Sequence, residues 1–252
     1  MGMKLVVLGS SNAIPSEGHD NTMLALVGQH STILIDCGIN PVVKFQQAGI
    51  DLNSLEHVVI THFHPDHVSG FPILLMSMWL LGRTKKLLVY GSDHTITRLE
   101  KLMTLFDWEQ WPGFYHVSFV TIPLQPLQKV LETDEITLLG VPVKHFIPTM
   151  GLRMEFKHNQ KIIGFTCDTE PCPGVELIAD GVDILFHEAT GENEGHSSPE
   201  QAGHTARRNE VGELVLIHYP GEERQNNQIV AKAAAVFTGK ITRAYDMQTF
   251  EI

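Results

Sequence analysis

Within six residues, His62-Phe63-His64-Pro65-Asp66-His67 sets three imidazoles and a carboxylate directly behind the apolar run Val58-Val59-Ile60-Thr61. The run reads as a buried strand. Pro65 cannot donate a ladder hydrogen bond, so the strand ends there and the polar residues occupy the loop that follows. Imidazole and carboxylate are borderline ligands suited to zinc, with manganese or iron as less selective alternatives. In extended backbone His62 and His64 point to one side, and a turn can carry Asp66 and His67 to a second ion nearby. A merely solvated loop has no need of four such groups behind a buried strand. A fold for this chain must therefore bring further ligands to the end of that strand.

The rest of the chain supplies other strand ends. Short runs rich in Val, Ile, Leu and Phe, bounded by Gly, Asp, Asn or Pro, predict strands at Lys4–Leu8, Leu24–Val27, Thr32–Asp36, His57–Thr61, Leu87–Tyr90 and Val117–Ile122. Others follow at Glu135–Leu139, Val141–Phe146, Leu152–Phe156, Lys161–Thr166, Ile184–His187, Leu214–Ile217 and Thr249–Ile252. Helices are predicted over Pro41–Ala48, Val68–Leu81, Thr95–Phe106, Gly174–Ala179, Ser198–Asn209 and Arg224–Phe237. The outer thirds alternate strand with helix, while Val117–Thr166 is nearly all strand. Two packed sheets with helices over their outer faces satisfy both patterns. No linker, short repeat or charge run divides residues 1–252, so a single domain is expected.

Charge and cysteine content narrow the partners. The net charge of −11 is opposite to the basic surface with which proteins grip long nucleic acids. Cys37, Cys167 and Cys172 are an odd number without paired spacing, and read as thiols in a reducing compartment. The opening Met1–Leu8 is too short an apolar run for a signal peptide, and Phe71–Leu81 falls well below the ~20 residues that span a bilayer. A cytoplasmic protein that does not enter membranes is expected.

The segment at residues 62–67 matches the His-x-His-x-Asp-His signature of the metallo-β-lactamase superfamily, and further positions of that superfamily follow in order. Asp36 in Leu34-Ile35-Asp36-Cys37-Gly38 resembles its early aspartate, which fixes a ligand. His145 in Val143-Lys144-His145 resembles the third histidine of its first metal site. Asp168 in Phe165-Thr166-Cys167-Asp168-Thr169 resembles the bridging carboxylate, and His218 in Val215-Leu216-Ile217-His218-Tyr219 the last ligand of the second site. The resemblance implies an α/β fold, a four-layer αββα sandwich of two mixed β-sheets flanked by helices. It also implies two zinc ions, one held by His62, His64, His145 and Asp168, the other by Asp66, His67, Asp168 and His218. A water between two such ions is activated as a hydroxide, with Asp66 as its orienter or base.

Three stretches resemble the ribonuclease Z branch in particular. They are Leu8-Gly9-Ser10-Ser11-Asn12-Ala13-Ile14-Pro15, the run Lys144–Glu155, and Phe186-His187-Glu188-Ala189-Thr190 with the later Gly195-His196-Ser197-Ser198-Pro199-Glu200-Gln201-Ala202. The resemblance implies that His196 is the general acid that protonates a departing alkoxide, that Glu188 orients it, and that the protein is a homodimer. His187 reads as structural, as do His19, His30, His57, His94, His116, His158 and His204.

The chain departs from that branch in one respect. Between His145 and Asp168 it has room only for a hairpin turning at His158-Asn159-Gln160, and not for the arm that clamps tRNA. This favours a small or cyclic phosphodiester over precursor tRNA, with RNA retained as an alternative substrate. A hydrolase of lactones, esters or thioesters on the same metal pair is the competing reading. A di-iron oxidoreductase is disfavoured because His64 stands where those relatives carry Glu. A non-catalytic scaffold is disfavoured because every ligand position is filled. The aromatic segment Phe106–Tyr115 reads as a substrate-side lid, a dimer contact or ordinary packing of Trp108 and Trp111.

Overall fold

The computed structural model describes residues 2–221 and 228–252. Alternation along the first strand shows how the layers arise. In β1 (Lys4–Gly9), Leu5 and Val7 join a core with Leu24, Leu26, Ile33 and Ile35, whereas Val6 and Leu8 join Phe45, Leu74 and Met78. A strand apolar on both faces has to be covered on both. A second sheet covers one face and helices cover the other.

The first sheet adds β2 (Met23–Val27), β3 (Thr32–Ile35), β4 (Leu55–Val59), β5 (Leu87–Gly91), β6 (Val117–Thr121) and β14 (Thr249–Glu251), in the order β14-β1-β2-β3-β4-β5-β6. The second contains β7 (Gln128–Glu132), β8 (Ile136–Val143), β9 (Thr149–Phe156), β10 (Ile162–Phe165), β11 (Ile184–Glu188), β12 (Glu213–Ile217) and β13 (Lys240–Arg243), in the order β13-β12-β11-β10-β9-β8-β7. Leu152, Met154, Phe165, Phe186 and Val215 of the second sheet meet Leu24, Leu26 and Val59 of the first in the central core. Helices α1 (Pro41–Gln47), α3 (Phe71–Leu80) and α4 (Asp93–Thr104) cover the first sheet, and a short α2 (Pro65–Val68) precedes α3. Helices α5 (Pro173–Ala179), α6 (Pro199–Arg208) and α7 (Gln228–Ala234) cover the second. The arrangement is the expected αββα sandwich of two mixed sheets.

Strand direction decides where a site can form. Strands β3 to β6 are parallel, as are β10 to β13. Strand β8 lies two antiparallel steps from β10 and so runs the same way. The chain therefore leaves β8, β10, β11 and β12 at one edge of the second sheet.

The elements differ from expectation in a few places, each with a cause. The predicted helix Val68–Leu81 is broken between α2 and α3, because Pro72 has no N–H for the carbonyl of Val68. Gly70 at the break is also a close approach, since a Cβ there would lie 1.9 Å from the Gly38 carbonyl oxygen. The expected strands Glu135–Leu139 and Val141–Phe146 are one strand, β8, running through Gly140, where a Cβ would lie 2.3 Å from Met150 Sδ. Two strands were not expected, β7 and β13. Both are edge strands with half-exposed polar residues, and so have a weak apolar pattern. Of the predicted helix Arg224–Phe237, residues 224–227 lie outside the described residues, and α7 covers Gln228–Ala234. The hairpin of β9 and β10 turns within residues 157–161 and carries no arm.

The aromatic segment packs against α3 and β6. Trp111 stacks on Trp79 with centroids 5.1 Å apart, Trp108 meets Phe119 edge-on at 5.8 Å, and Trp79 Nε1–H donates to the Pro112 carbonyl. Of the three sequence readings, packing accounts for Trp108 and Trp111. Among the described residues no helix is long and apolar enough to cross a membrane.

Candidate metal centre

Strand β4 hands its end over to a side chain. Beyond Val59, the Thr61 N–H donates to Asp36 Oδ1 at 2.8 Å, and the Thr61 hydroxyl donates to the same carboxylate at 2.9 Å. Asp36 follows β3 with φ 61°, a left-handed conformation that costs a non-glycine residue about 1 kcal/mol. Its buried carboxylate is thereby turned toward the next strand end. The other oxygen, Oδ2, accepts Nδ1–H of His67 at 2.8 Å, which leaves His67 Nε2 facing inward. Cys167 and His218 are left-handed as well, with φ 55° and 52°, so β10 and β12 end in the same kind of kink.

These turns bring together the residues singled out in the sequence. His62 Nε2 and His145 Nε2 each lie 3.1 Å from His64 Nδ1. Asp168 Oδ2 lies 3.8 Å from His62 Nε2 and 3.9 Å from His145 Nε2, which closes a first group of four. Asp66 Oδ2 is 3.3 Å from His67 Nε2 and 3.5 Å from His218 Nε2, and Asp168 Oδ1 is 3.4 Å from His218 Nε2, which closes a second. Asp168 belongs to both groups. In each group the donor atoms lie within 4.8 Å of one another.

The nitrogens that face away are occupied. His145 Nδ1–H donates to the Gly195 carbonyl at 2.7 Å, and His218 Nδ1–H to the Thr190 hydroxyl at 2.9 Å. The Thr61 hydroxyl lies 3.1 Å from His62 Nδ1, and the Cys167 thiol donates to that hydroxyl at 3.1 Å. Outward bonds of this kind set the ring tautomer and aim the inward lone pair. The roles of Thr190 and Gly195 were missed in the sequence. Thr190 lies inside the quoted His-Glu-Ala-Thr run, but no local pattern ties it to a histidine 28 residues later.

Burial lowers the affinity of His62, His64 and His145 for protons, keeping them in the neutral, lone-pair form. Burial opposes ionisation of Asp66 and Asp168, but the adjoining His67 and His218 outweigh it and hold both carboxyls well below the usual range. Burial also opposes protonation of His67 and His218, yet Asp168 and its neighbours raise both. His67 Nε2 and Asp168 Oδ1 are buried and make no well-aligned hydrogen bond among the described residues. An unmet buried polar atom costs about 1–3 kcal/mol. Two orphaned donor atoms within two closed groups of imidazole and carboxylate fit a pair of divalent cations.

Beside the cluster lies the predicted pair. Glu188 is fully buried at the end of β11, and its Oε1 accepts both the Thr169 N–H at 2.8 Å and His196 Nδ1–H at 2.9 Å. Burial works against the charged form of His196, but the Glu188 carboxylate prevails and raises its proton affinity. The His196 ring lies 5.0 Å from that of His145 and 5.9 Å from that of His218. His187 points elsewhere and bonds the Glu188 carbonyl. None of the other seven histidines set aside in the sequence joins a ligand group among the described residues.

Residues 3–241 match the family model described as anti-Pycsar protein Apyc1. The chain belongs to that family. The ribonuclease Z of Mycobacterium sp. (strain KMS) is 28% identical over 282 aligned positions, covering 99% of this chain and 96% of the relative. Among solved structures, the metallo-β-lactamase fold protein YhfI of Bacillus subtilis superposes with a TM-score of 0.84 at 21% identity, covering 100% of both chains. Human tRNase Z, short form, gives 0.79 at 21% identity, covering 99% of each chain. The chain is thus similar in sequence to ribonuclease Z, and its fold is that of the metallo-β-lactamase fold structures.

Proposed function

We propose that the chain is a binuclear zinc phosphodiesterase in which His62, His64, His145 and Asp168 hold one ion and Asp66, His67, Asp168 and His218 the other. One observation carries the assignment to phosphodiesters: Glu188 holds His196 at 2.9 Å, beside the ligand imidazoles. When bound, two divalent ions supply an activated water and screen the charge that builds on phosphoryl oxygens. The protein's part is to position a proton donor. Glu188 fixes His196 Nδ1–H, which leaves Nε2 to protonate a departing alkoxide. Asp66 is assigned the second task of orienting the attacking water.

A small or cyclic phosphodiester is the substrate class we favour, with RNA the alternative. The chain is acidic, and the hairpin between His145 and Asp168 is short. The positions aligned with the mycobacterial relative, 282, outnumber this chain's 252 residues, so that ribonuclease Z carries segments this chain lacks. We further read residues 1–252 as one domain, working in the cytoplasm as a homodimer.

The test is a panel assayed after metal reconstitution: precursor tRNA, a cyclic nucleotide, an aryl phosphodiester and a homoserine lactone, alongside metal analysis. Turnover of the phosphodiesters with two ions bound is expected. Turnover of the lactone alone would move the assignment to carbon esters.

A further inference from the structure

Phe146 follows the candidate ligand His145 and is 56% exposed. Its ring centroid lies 4.9 Å from that of His145, 6.1 Å from His196 and 6.5 Å from His64. The ring thus stands against the imidazole wall of the metal centre. Its position is fixed from one side by Gly195, which is buried with φ 77°. A Cβ on Gly195 would lie 2.8 Å from Phe146 Cε2 and 3.0 Å from His145 Nδ1. The backbone of residue 195 is pressed directly against the aromatic ring, and only glycine leaves room for that contact. Phe146 also lines a cleft of about 680 Å³, with Ile147, Pro148, Pro126, Leu177 and the His145 loop. His145 lines both this cleft and the first ligand group.

We infer that Phe146 and this cleft form a subsite for a planar aromatic ring carried on the phosphate ester, with Phe146 as the stacking platform and specificity-determining residue. The inference rests on the phosphodiesterase reading and adds to it the kind of group that flanks the phosphate. A phosphoryl group at the two ligand groups has His64, His145 and His196 around it, and a substituent leaving it past His145 meets the Phe146 ring. The cleft offers apolar walls and one cation, Lys144, which is paired with Glu170 at 2.6 Å. That lining suits the π-face of an aromatic ring and gives nothing to a second anionic group. One base–aromatic stack is worth about tenfold or more in affinity.

The experiment measures dissociation constants of phenylphosphonate and methylphosphonate for the metal-loaded full chain by calorimetry. These probes share a phosphonate head and differ in the ring. The wild-type protein is expected to prefer phenylphosphonate by about tenfold. F146A and F146L should bring the ratio close to one, because leucine keeps apolar bulk but has no π-face, whereas F146Y should retain it. Metal content and melting temperature confirm that the variants are folded, as expected for a half-exposed side chain. Equal affinities in the wild type, or a preference that survives in F146A, overturn the subsite, while turnover of any phosphodiester leaves the parent reading intact. No phosphodiester turnover by the metal-loaded wild type overturns both.

Discussion

Asp36 Oδ2 accepts Nδ1–H of His67 at 2.8 Å, and that bond decides which nitrogen of the ring faces the cluster. The same carboxylate takes the Thr61 N–H and hydroxyl, so one side chain sets both the end of β4 and the aim of a candidate ligand.

Replacing Asp36 by Asn keeps the size of the side chain but puts an amide N–H donor opposite either His67 or Thr61. A His67 ring that turns its proton inward loses the lone pair needed for a metal. Supporting bonds of this type typically carry 10–100-fold in metal affinity (about that range for second partners of ligand histidines). D36N should therefore weaken zinc binding by about that factor, measured by competition with a chelating dye. Wild-type affinity for two ions in D36N would show that the bond does not aim the ring.

The Glu188–His196 pair has a signature in leaving-group dependence. A nitrophenolate leaves without a proton, whereas an alkoxide needs one. H196A should lower kcat on an alkyl phosphodiester by about 10²–10⁴-fold and on a bis(nitrophenyl) ester much less. In the proposed acid role His196 acts in its protonated form, and Glu188 raises its proton affinity, so activity should be held below the raised pKa and lost as pH rises through it. E188Q removes that stabilisation, and the alkaline limb of the profile should move to lower pH. Equal losses on both esters, or an unmoved limb, would leave His196 without the acid role.

Much of this centre was legible because its metal-type residues stand at or soon after the ends of apolar strands. Asp36, His62, His145, Asp168 and His218 are all of this kind, and strand direction gathers their ends. What could not be read were contacts whose partners are set by the tertiary fold. Thr190 meets His218 and Gly195 meets His145 across 28 and 50 residues, and neither contact leaves a periodic trace. The edge strands β7 and β13 were unreadable for a different reason: with one side unpaired and polar residues outward, they lack the apolar runs that announce buried strands. The break between α2 and α3 was signalled by Pro72, but the need for glycine at 70 lies in the approach of Gly38.

That approach makes Gly70 a sharp steric probe. Its φ of −82° suits any residue, so the objection to a side chain is contact alone: 1.9 Å to the Gly38 oxygen and 2.6 Å to Pro41 Cδ. G70A should push the Cys37–Gly38 segment away and disturb Asp36 beside it, costing about 1–3 kcal/mol in urea unfolding and also weakening metal binding. Gly82 is the control. It has φ 78° and open space around it, so G82A should cost only backbone strain, about 1 kcal/mol, and leave metal binding unchanged. Equal behaviour of the two variants would remove the link between the α2–α3 break and the centre.

Asp168 is the residue common to both ligand groups, and this predicts an asymmetry in metal stoichiometry. His145 belongs to the first group only and His218 to the second only. H145A leaves Asp66, His67, Asp168 and His218 intact, so one ion should remain; H218A leaves His62, His64, His145 and Asp168, and again one should remain. D168A removes a carboxylate from both groups, leaving three imidazoles in one and a single carboxylate with two imidazoles in the other. Neither remainder neutralises a divalent cation as the parent does, and both ions should be lost at micromolar free zinc. Thermal stability should follow occupancy, since a ligand that binds only the folded state adds RT ln(1 + [L]/Kd). Zinc should therefore raise the melting temperature of wild type most, of H145A and H218A less, and of D168A hardly at all. The measurement is mass spectrometry under native conditions together with melting curves across a zinc series. Two ions retained by D168A would mean that the groups bind independently and that Asp168 does not join them.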